Sequence, residues 1–327
     1  MRLLPEIDRP LQVTEVDPVF WYDVRRGLSA KPRSIPARWL YDRCGSELFE
    51  AITALPEYYQ TRTERAILSS AVAEVASLTG DGRVIVEFGA GSAAKTPILL
   101  YALQPSAYVP VDISVEFLRH SVKRLSKSFP ALDIYPVEGD FTGELNLPRA
   151  VDGMPRLGFF PGSTIGNLVV TEAVDLLRKM AATLGEGSML LIGIDRANDP
   201  DVLIPAYDDA QGITAAFNLN LLHRINRELG GSVPVDKFRH LAVWNDSESR
   251  MEMHLRAMRN AKFTVRGRPF VIEEGETIHT ENSLKYGLRE ANVLLRAGGW
   301  TPIADWTDDS RLFSLILAKR KMRTVTP

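Results

Sequence analysis

Between residues 82 and 195 the chain alternates short apolar runs with stretches whose apolar positions recur at helical spacing. The runs are residues 83–88, 107–111, 133–137, 157–161 and 188–194, and residues 95–103, 115–129 and 173–184 carry the helical pattern between them. Continuous apolar strands suit a sheet buried on both faces, so the alternation predicts a doubly wound α/β domain built on parallel strands. Upstream, residues 18–27 and 36–55 read as short helical pieces broken by Pro32, Pro36 and Pro56. Residues 63–78 read as a longer helix, with Thr63 as its cap and Glu64 in its first turn.

Past Arg196 the rhythm changes. Residues 203–229 are mostly helical in pattern, and residues 240–268 alternate like antiparallel strands. Residues 281–297 read as a further helix, and residues 301–305 and 313–318 as two strands that rejoin the main sheet. The expected organisation is an N-terminal helical cap (1–62), a main domain (63–196 and 284–327) and an inserted α+β subdomain (197–283).

Composition narrows the function classes. With 39 Lys and Arg against 41 Asp and Glu, the net charge of -2 gives no electrostatic reason to expect a nucleic acid or anionic lipid partner. The basic ending Lys319-Arg320-Lys321 reads as a solvated end. No apolar run reaches the roughly 20 residues that span a bilayer, and the first residues lack the order of a signal peptide, so the cytoplasm is expected; a monomer is the separate expectation for its assembly. Cys44 is the only cysteine, and His120, His223, His240, His254 and His279 are scattered, so no metal is expected.

The strongest local signal is Val84-Ile85-Val86-Glu87-Phe88-Gly89-Ala90-Gly91, a strand entering a Gly-x-Gly turn before a helix. Glycines there let the backbone approach a ligand, and the helix that follows offers unpaired N–H groups. Gly89 to Ala94 also fits the dinucleotide fingerprint, and a plain tight turn is the structural alternative. Asp112 closes the second strand, where a carboxylate accepts from ribose hydroxyls in either cofactor class. Asp140 and Phe141 follow the third strand, where an acid and an aromatic hold an adenine by its amine and its ring face. With Glu87 before the glycines, this set favours S-adenosylmethionine over a nicotinamide dinucleotide. Lys95, poorly placed for the helix dipole, is expected to pair with the carboxylate of the cofactor's methionine part; an exposed lysine is the alternative.

Longer strings carry a resemblance. Leu55-Pro56-Glu57-Tyr58-Tyr59-x-Thr61-Arg62-Thr63-Glu64 resembles the signature of the histidine-specific methyltransferases. Similar strings are Arg38-Trp39-Leu40-Tyr41-Asp42, then Gly162-Ser163-Thr164-Ile165-Gly166-Asn167-Leu168 and Ala206-Tyr207-Asp208-Asp209-Ala210. Thr214-Ala215-Ala216-Phe217-Asn218, Arg250-Met251-Glu252-Met253 and Thr280-Glu281-Asn282-Ser283-x-Lys285 follow in order. The resemblance spans residues 20–318. Gln60, where a proline is common, and Leu284 and Tyr286 depart from it.

The resemblance implies a Rossmann-like class I methyltransferase domain with an inserted α+β substrate-binding subdomain, trimethylating the α-nitrogen of histidine to hercynine in ergothioneine biosynthesis. It puts the cofactor on Tyr41, Gly89, Gly91, Lys95, Asp112, Asp140 and Phe141. The amino acid's α-amino and carboxylate groups fall to Tyr58, Asn167 and Tyr207, and its imidazole to Glu281 and Ser283, with Met253 and Thr214 nearby. Tyr41 and Asn167 are expected to orient the reacting nitrogen, which loses its proton to water or a tyrosine hydroxyl. Taken singly, Tyr58 and Tyr207 also read as half-buried aromatics, and Glu281 as an early-helix acid. The alternatives are another aromatic amino acid, such as tryptophan, as substrate, a nicotinamide dehydrogenase, and a non-catalytic cofactor-binding protein.

Overall fold

A computed structural model describes residues 16–320; residues 1–15, in the expected cap, and Lys321 onward lie outside the described residues. In chain order the first elements are α1 (Pro18–Ser29), β1 (Arg33–Ser34), α2 (Arg43–Thr53), α3 (Tyr59–Thr79), β2 (Val84–Phe88), α4 (Thr96–Leu103) and β3 (Ala107–Asp112). Then come α5 (Val115–Ser128), β4 (Asp133–Ile134), β5 (Val137–Glu138), β6 (Arg156–Phe160), α6 (Val170–Leu184), β7 (Met189–Asp195), α7 (Pro200–Tyr207) and α8 (Ile213–Leu229). The last are β8 (Phe238–Asn245), β9 (Arg250–Ala257), β10 (Ala261–Val265), β11 (Arg268–Ile272), β12 (Thr277–Leu284), α9 (Leu288–Ala297), β13 (Trp300–Thr307) and β14 (Phe313–Arg320). The chain divides into two compact units, Met1–Tyr58 with Asp199–Asn282, and Tyr59–Asn198 with Ser283–Pro327.

The second unit is the α/β domain. Its sheet runs β13-β14-β7-β6-β2-β3-β4, with β5 also on β3. Strands β3, β2, β6 and β7 are parallel, and β14 and β13 add antiparallel on the far edge. Val84, Val86 and Phe88 face a core shared with Leu176 and Leu177 of α6 and Leu294 and Leu295 of α9. Ile85 faces the opposite core, with Ile67 and Leu68 of α3 and Leu99 and Leu100 of α4. Both faces are covered, which is why these strands are apolar throughout. The chain leaves β2 for β3 on one side and returns to β6 on the other. Such reversals open a crevice at the carboxyl ends of the strands, where doubly wound sheets bind ligands.

The first unit carries the sheet β1-β12-β9-β8 and the separate hairpin β10-β11. Met251, Met253 and Leu255 alternate as the buried face of β9. Asp42 caps α2 by accepting from Gly45 N at 2.8 Å and also accepts from Asn220 of α8 at 2.7 Å.

Three expectations change. Residues 281–284 are strand, not helix: β12 pairs with β1 in parallel, and α9 starts only at Leu288. Thr63 caps nothing, because α3 starts at Tyr59 and holds Glu64 fully buried within it. The run 133–137 splits into β4 and β5 around Tyr135 and Pro136, where proline has no N–H to give the ladder. Lys319, expected in a solvated end, is exposed at the close of β14, and Lys321 lies outside the described residues.

Candidate active site

Each unit gathers its own set of chemistry-bearing residues. In the second, the turn after β2 places Gly89 at φ +72° and Gly91 at φ +50°, backbone that favours glycine. Gly89 N and Ala90 N donate to Val111 O at 2.9 and 3.0 Å, and Gly91 N donates to Asp112 Oδ2 at 2.8 Å. Ser114 N donates to the other carboxylate oxygen at 2.8 Å. Burial pushes the Asp112 carboxyl up despite these donors. A Cβ on Gly89 would sit 3.3 Å from the Phe141 ring, which itself packs edge-on to Phe160 at 5.5 Å. Asp140, one residue before that ring, accepts from Thr142 N at 2.8 Å and Thr142 Oγ1 at 2.6 Å. A glycine floor under an aromatic ring, with carboxylates ending β3 and following β5, fits an adenine nucleoside. Gly89, Gly91, Asp112, Asp140 and Phe141 are five of the seven residues expected for S-adenosylmethionine.

Glu87 serves the turn from below. Its Oε2 accepts from Thr96 Oγ1 at 2.7 Å, the first residue of α4, and from Tyr108 OH at 2.5 Å. Full burial pushes this carboxyl up to about 7, against the pull of those hydroxyls. Lys95 is ion-paired with buried Glu64, and the same carboxylate accepts from Gly162 N at 3.0 and 2.9 Å. One acid thus ties α3, the entry to α4 and the loop after β6. That loop continues through Ser163 in the left-handed region and a 3-10 turn over Thr164–Asn167, which presents Asn167. Gly166 lies against the backbone of Leu284, where a Cβ would come 2.7 Å from Leu284 O.

At the end of β7, Asp195 collects Tyr59 OH at 2.6 Å, Gln60 Nε2 at 3.3 Å and Lys285 Nζ at 2.5 Å. Lys285 Nζ also donates to Ser283 Oγ at 2.8 Å. Sequence reasoning missed two ion pairs, Glu64 with Lys95 and Asp195 with Lys285. Glu64 and Lys285 lay inside quoted strings, but nothing in their spacing names a partner.

The first unit brings together Tyr41, Tyr58, Tyr207 and Glu281. Tyr41 OH donates to Glu281 Oε1 at 3.2 Å, and the Tyr41 ring packs on Phe49 and Phe217 at 5.5 and 5.4 Å. Burial first, then the Glu281 charge and the neighbouring Tyr58 and Tyr207, push the Tyr41 phenol well above its ordinary value. Tyr58 lies edge-on to Phe49 at 6.2 Å. The Tyr207 carbonyl accepts from His240 Nε2 at 2.7 Å, so His240 carries its proton there; burial lowers its pKa and keeps the ring neutral. Met253 is buried on β9, its carbonyl accepting from Thr280 Oγ1 at 3.0 Å, and Thr214 N donates to Asp209 Oδ1 at 2.7 Å.

The sequence also gave no hint that His254 and His279 meet, with rings 5.0 Å apart. Glu252 accepts from His254 Nε2 at 2.9 Å, Asn245 Nδ2 at 2.9 Å and Arg250 Nε at 2.7 Å. Burial opposes its charge, but those three donors prevail and hold the carboxyl at about 2.

Similarity to known proteins agrees with this geometry. The fold superposes on the crystal structure of an S-adenosylmethionine-dependent methyltransferase from Clostridium acetobutylicum with a TM-score of 0.50 at 13% identity, covering 86% of this chain and 100% of that one. The α/β unit is the Rossmann-like class I methyltransferase fold. The model of the "Histidine-specific methyltransferase, SAM-dependent" family matches residues 20–320, and the chain belongs to that family. It is 40% identical to a histidine N-alpha-methyltransferase of Mycolicibacterium smegmatis, over 91% of this chain and 94% of the relative. It is also 30% identical to ergothioneine biosynthesis protein 1 of Neurospora crassa, over 89% of this chain and 34% of that longer protein.

Proposed function

We propose that the chain transfers methyl groups from S-adenosylmethionine to the α-nitrogen of L-histidine, three times in succession, giving hercynine for ergothioneine biosynthesis. The observation that carries this is the 40% identity to a histidine N-alpha-methyltransferase along nearly the whole of both chains. The cofactor, when bound, supplies an electrophilic sulfonium methyl. Among the chain's own groups, Gly89, Gly91, Lys95, Asp112, Asp140, Phe141 and Tyr41 hold it. Tyr58, Asn167 and Tyr207 hold the amino acid's α-amino and carboxylate groups, and Glu281, Ser283, Met253 and Thr214 surround the imidazole.

Positioning provides most of the rate in such a transfer. The amine must shed a proton first. The raised pKa of Tyr41 keeps its phenol neutral, so Tyr41 orients the amine with Asn167 while water takes the proton. In this reading residues 63–196 and 284–327 serve the cofactor, and residues 1–62 and 197–283 the substrate. The chain then works as a cytoplasmic monomer on a free amino acid, without nucleic acid. Among the described residues no helix is long and apolar enough to cross a membrane.

The test is mass spectrometry of the protein incubated with S-adenosylmethionine and each of the twenty amino acids. Histidine carrying one, two and three added methyl groups is expected. Methylated tryptophan instead would overturn the substrate, and no product with any amino acid would overturn the activity.

A further inference from the structure

In the first unit, β9 and β12 are neighbours in one sheet. Glu252 and His254 stand two apart on β9, on the face opposite the buried Met251, Met253 and Leu255. His279 lies on β12, its ring 5.0 Å from that of His254. One ligand atom from each of Glu252, His254 and His279 lies within 4.8 Å of the other two. Around a four-coordinate zinc ion with bonds of about 2.0 Å, ligand atoms stand about 3.3 Å apart. Glu252 Oε2 and His254 Nε2 are 2.9 Å apart, so one edge of such a tetrahedron is nearly set. The third ligand has at most about 1.5 Å to close.

The surroundings hold this trio in a form that can ligate. Arg250 Nε and Asn245 Nδ2 both donate to Glu252 Oε1, which fixes the carboxylate and leaves Oε2 turned to His254. His279 Nε2 lies 3.0 Å from Glu281 O; a carbonyl only accepts, so that nitrogen carries the proton and Nδ1 keeps its lone pair. Metal-bound histidines are commonly held in this way, the second ring nitrogen donating to a carbonyl. Ser34 Oγ stands 3.5 Å from Nδ1, at the limit of a hydrogen bond. Burial lowers the His279 pKa and favours the neutral ring. On His254, Nδ1 is buried with no hydrogen-bond partner, so no second contact locks the tautomer of that ring. Its proton can pass to Nδ1 when an ion takes Nε2. The Glu252 and His254 side chains are 13% and 15% exposed, which leaves an ion a way in.

We propose that Glu252, His254 and His279 bind a divalent transition ion of the zinc class, with water in the remaining position. Two imidazoles and one carboxylate suit zinc, whereas calcium and magnesium want oxygen ligands throughout. Arg250 lies beside the carboxylate and its charge repels the ion, so the affinity falls below that of a four-ligand zinc site. The ion ties β9 to β12. It has no assigned part in the methyl transfer, and its binding is read directly. The sequence expectation of no metal rested on histidines scattered along the chain, and two of them meet in the fold.

The experiment is calorimetric titration of zinc(II), and separately of magnesium, into the full chain after chelation and dialysis. The protein carries no polyhistidine tag and the buffer no histidine, because both chelate zinc. One equivalent of zinc is expected with a Kd of about 10 µM or tighter, and no magnesium. Glu252→Gln, His254→Gln and His279→Gln, checked for folding by thermal melting without metal, should each weaken zinc binding about 100-fold. His120→Gln removes a histidine of the second unit and should leave the affinity unchanged. No zinc binding by the wild type overturns the proposal. So does binding that survives all three substitutions, or that His120→Gln weakens equally, since either marks an adventitious ion only. Should the glutamine variants not fold, Glu252→Asp decides. It keeps the charge and draws the carboxylate back by one methylene, so zinc affinity must fall at least about 10-fold, and an unchanged affinity overturns the proposal.

Discussion

Tyr41 and Glu281 share one hydrogen bond, and each is given a second task in the proposed reaction. Replacing Tyr41 by Phe removes the hydroxyl and leaves the ring on Phe49 and Phe217. We expect kcat to fall at least about 10-fold in Tyr41→Phe and in Asn167→Ala, the range set by losing one orienting hydrogen bond. Initial rates by product mass spectrometry measure this, and near-normal turnover in both variants would sink their orienting role. Glu281→Gln keeps the shape and removes the charge. Exchanging a charge-assisted for a neutral hydrogen bond should raise the histidine KM about 10-fold while leaving S-adenosylmethionine affinity alone. Unchanged histidine KM would place the imidazole elsewhere. These residues were readable only through the motif strings that surround them. Singly, a tyrosine such as Tyr58 or Tyr207 fits an ordinary aromatic core as well as a binding site.

At the scale of elements, β2 and the turn after it depend on Glu87. Its pKa in the folded protein is about 7 against an ordinary 4.5, so the folded state holds a proton that the unfolded chain has lost between those values. Its contribution to stability is therefore complete below about pH 4.5 and lost as the pH rises toward 7, with a total of order 3 kcal/mol. Glu87→Gln should melt with a flatter pH dependence than the wild type between pH 5 and 7.5; parallel curves would show that Glu87 is ionised throughout. The close approach of the Asn167 turn to β12 makes a second test. In Gly166→Ala the new methyl meets the Leu284 backbone, which cannot swing aside, so a loss of about 1–3 kcal/mol in stability is expected, read by denaturant unfolding. A variant as stable as wild type would mean that the turn moves freely. Element identity was legible where the pattern was long and one-signed, as in β2, β3, β6 and β7. It failed at residues 281–284, where Glu281-Asn282-Ser283-Leu284 suits a helix start as well as a strand. Only its place in β12, beside β9 in the sheet, makes that segment extended. It failed at Thr63-Glu64 for a similar reason: the pair imitates a helix cap, but the burial of Glu64 against Lys95 and Gly162 N makes it an interior residue.

For the molecule as a whole, the near balance of 39 basic and 41 acidic residues leaves ligand binding as the readout that separates cofactor classes. At 100 times its dissociation constant a ligand stabilises the folded state by about 2.7 kcal/mol, which for a chain of this size is a rise of roughly 4 °C in Tm. S-adenosylhomocysteine should produce that rise and NAD should not, in a thermal-shift titration; a rise with NAD alone would return the glycine turn to the dehydrogenases. The amino-acid sequence by itself determined the fold class, because apolar runs buried on both sides and a Gly-x-Gly turn after the first of them are local patterns. It also determined the family, because long strings in a fixed order seldom recur by accident. Only the tertiary structure decided which charges meet. Glu64 lies 31 positions before Lys95 and Asp195 lies 90 before Lys285, and His254 stands against His279 across two strands. A buried charge must find a partner in space, and a lone position along the chain carries no record of which one.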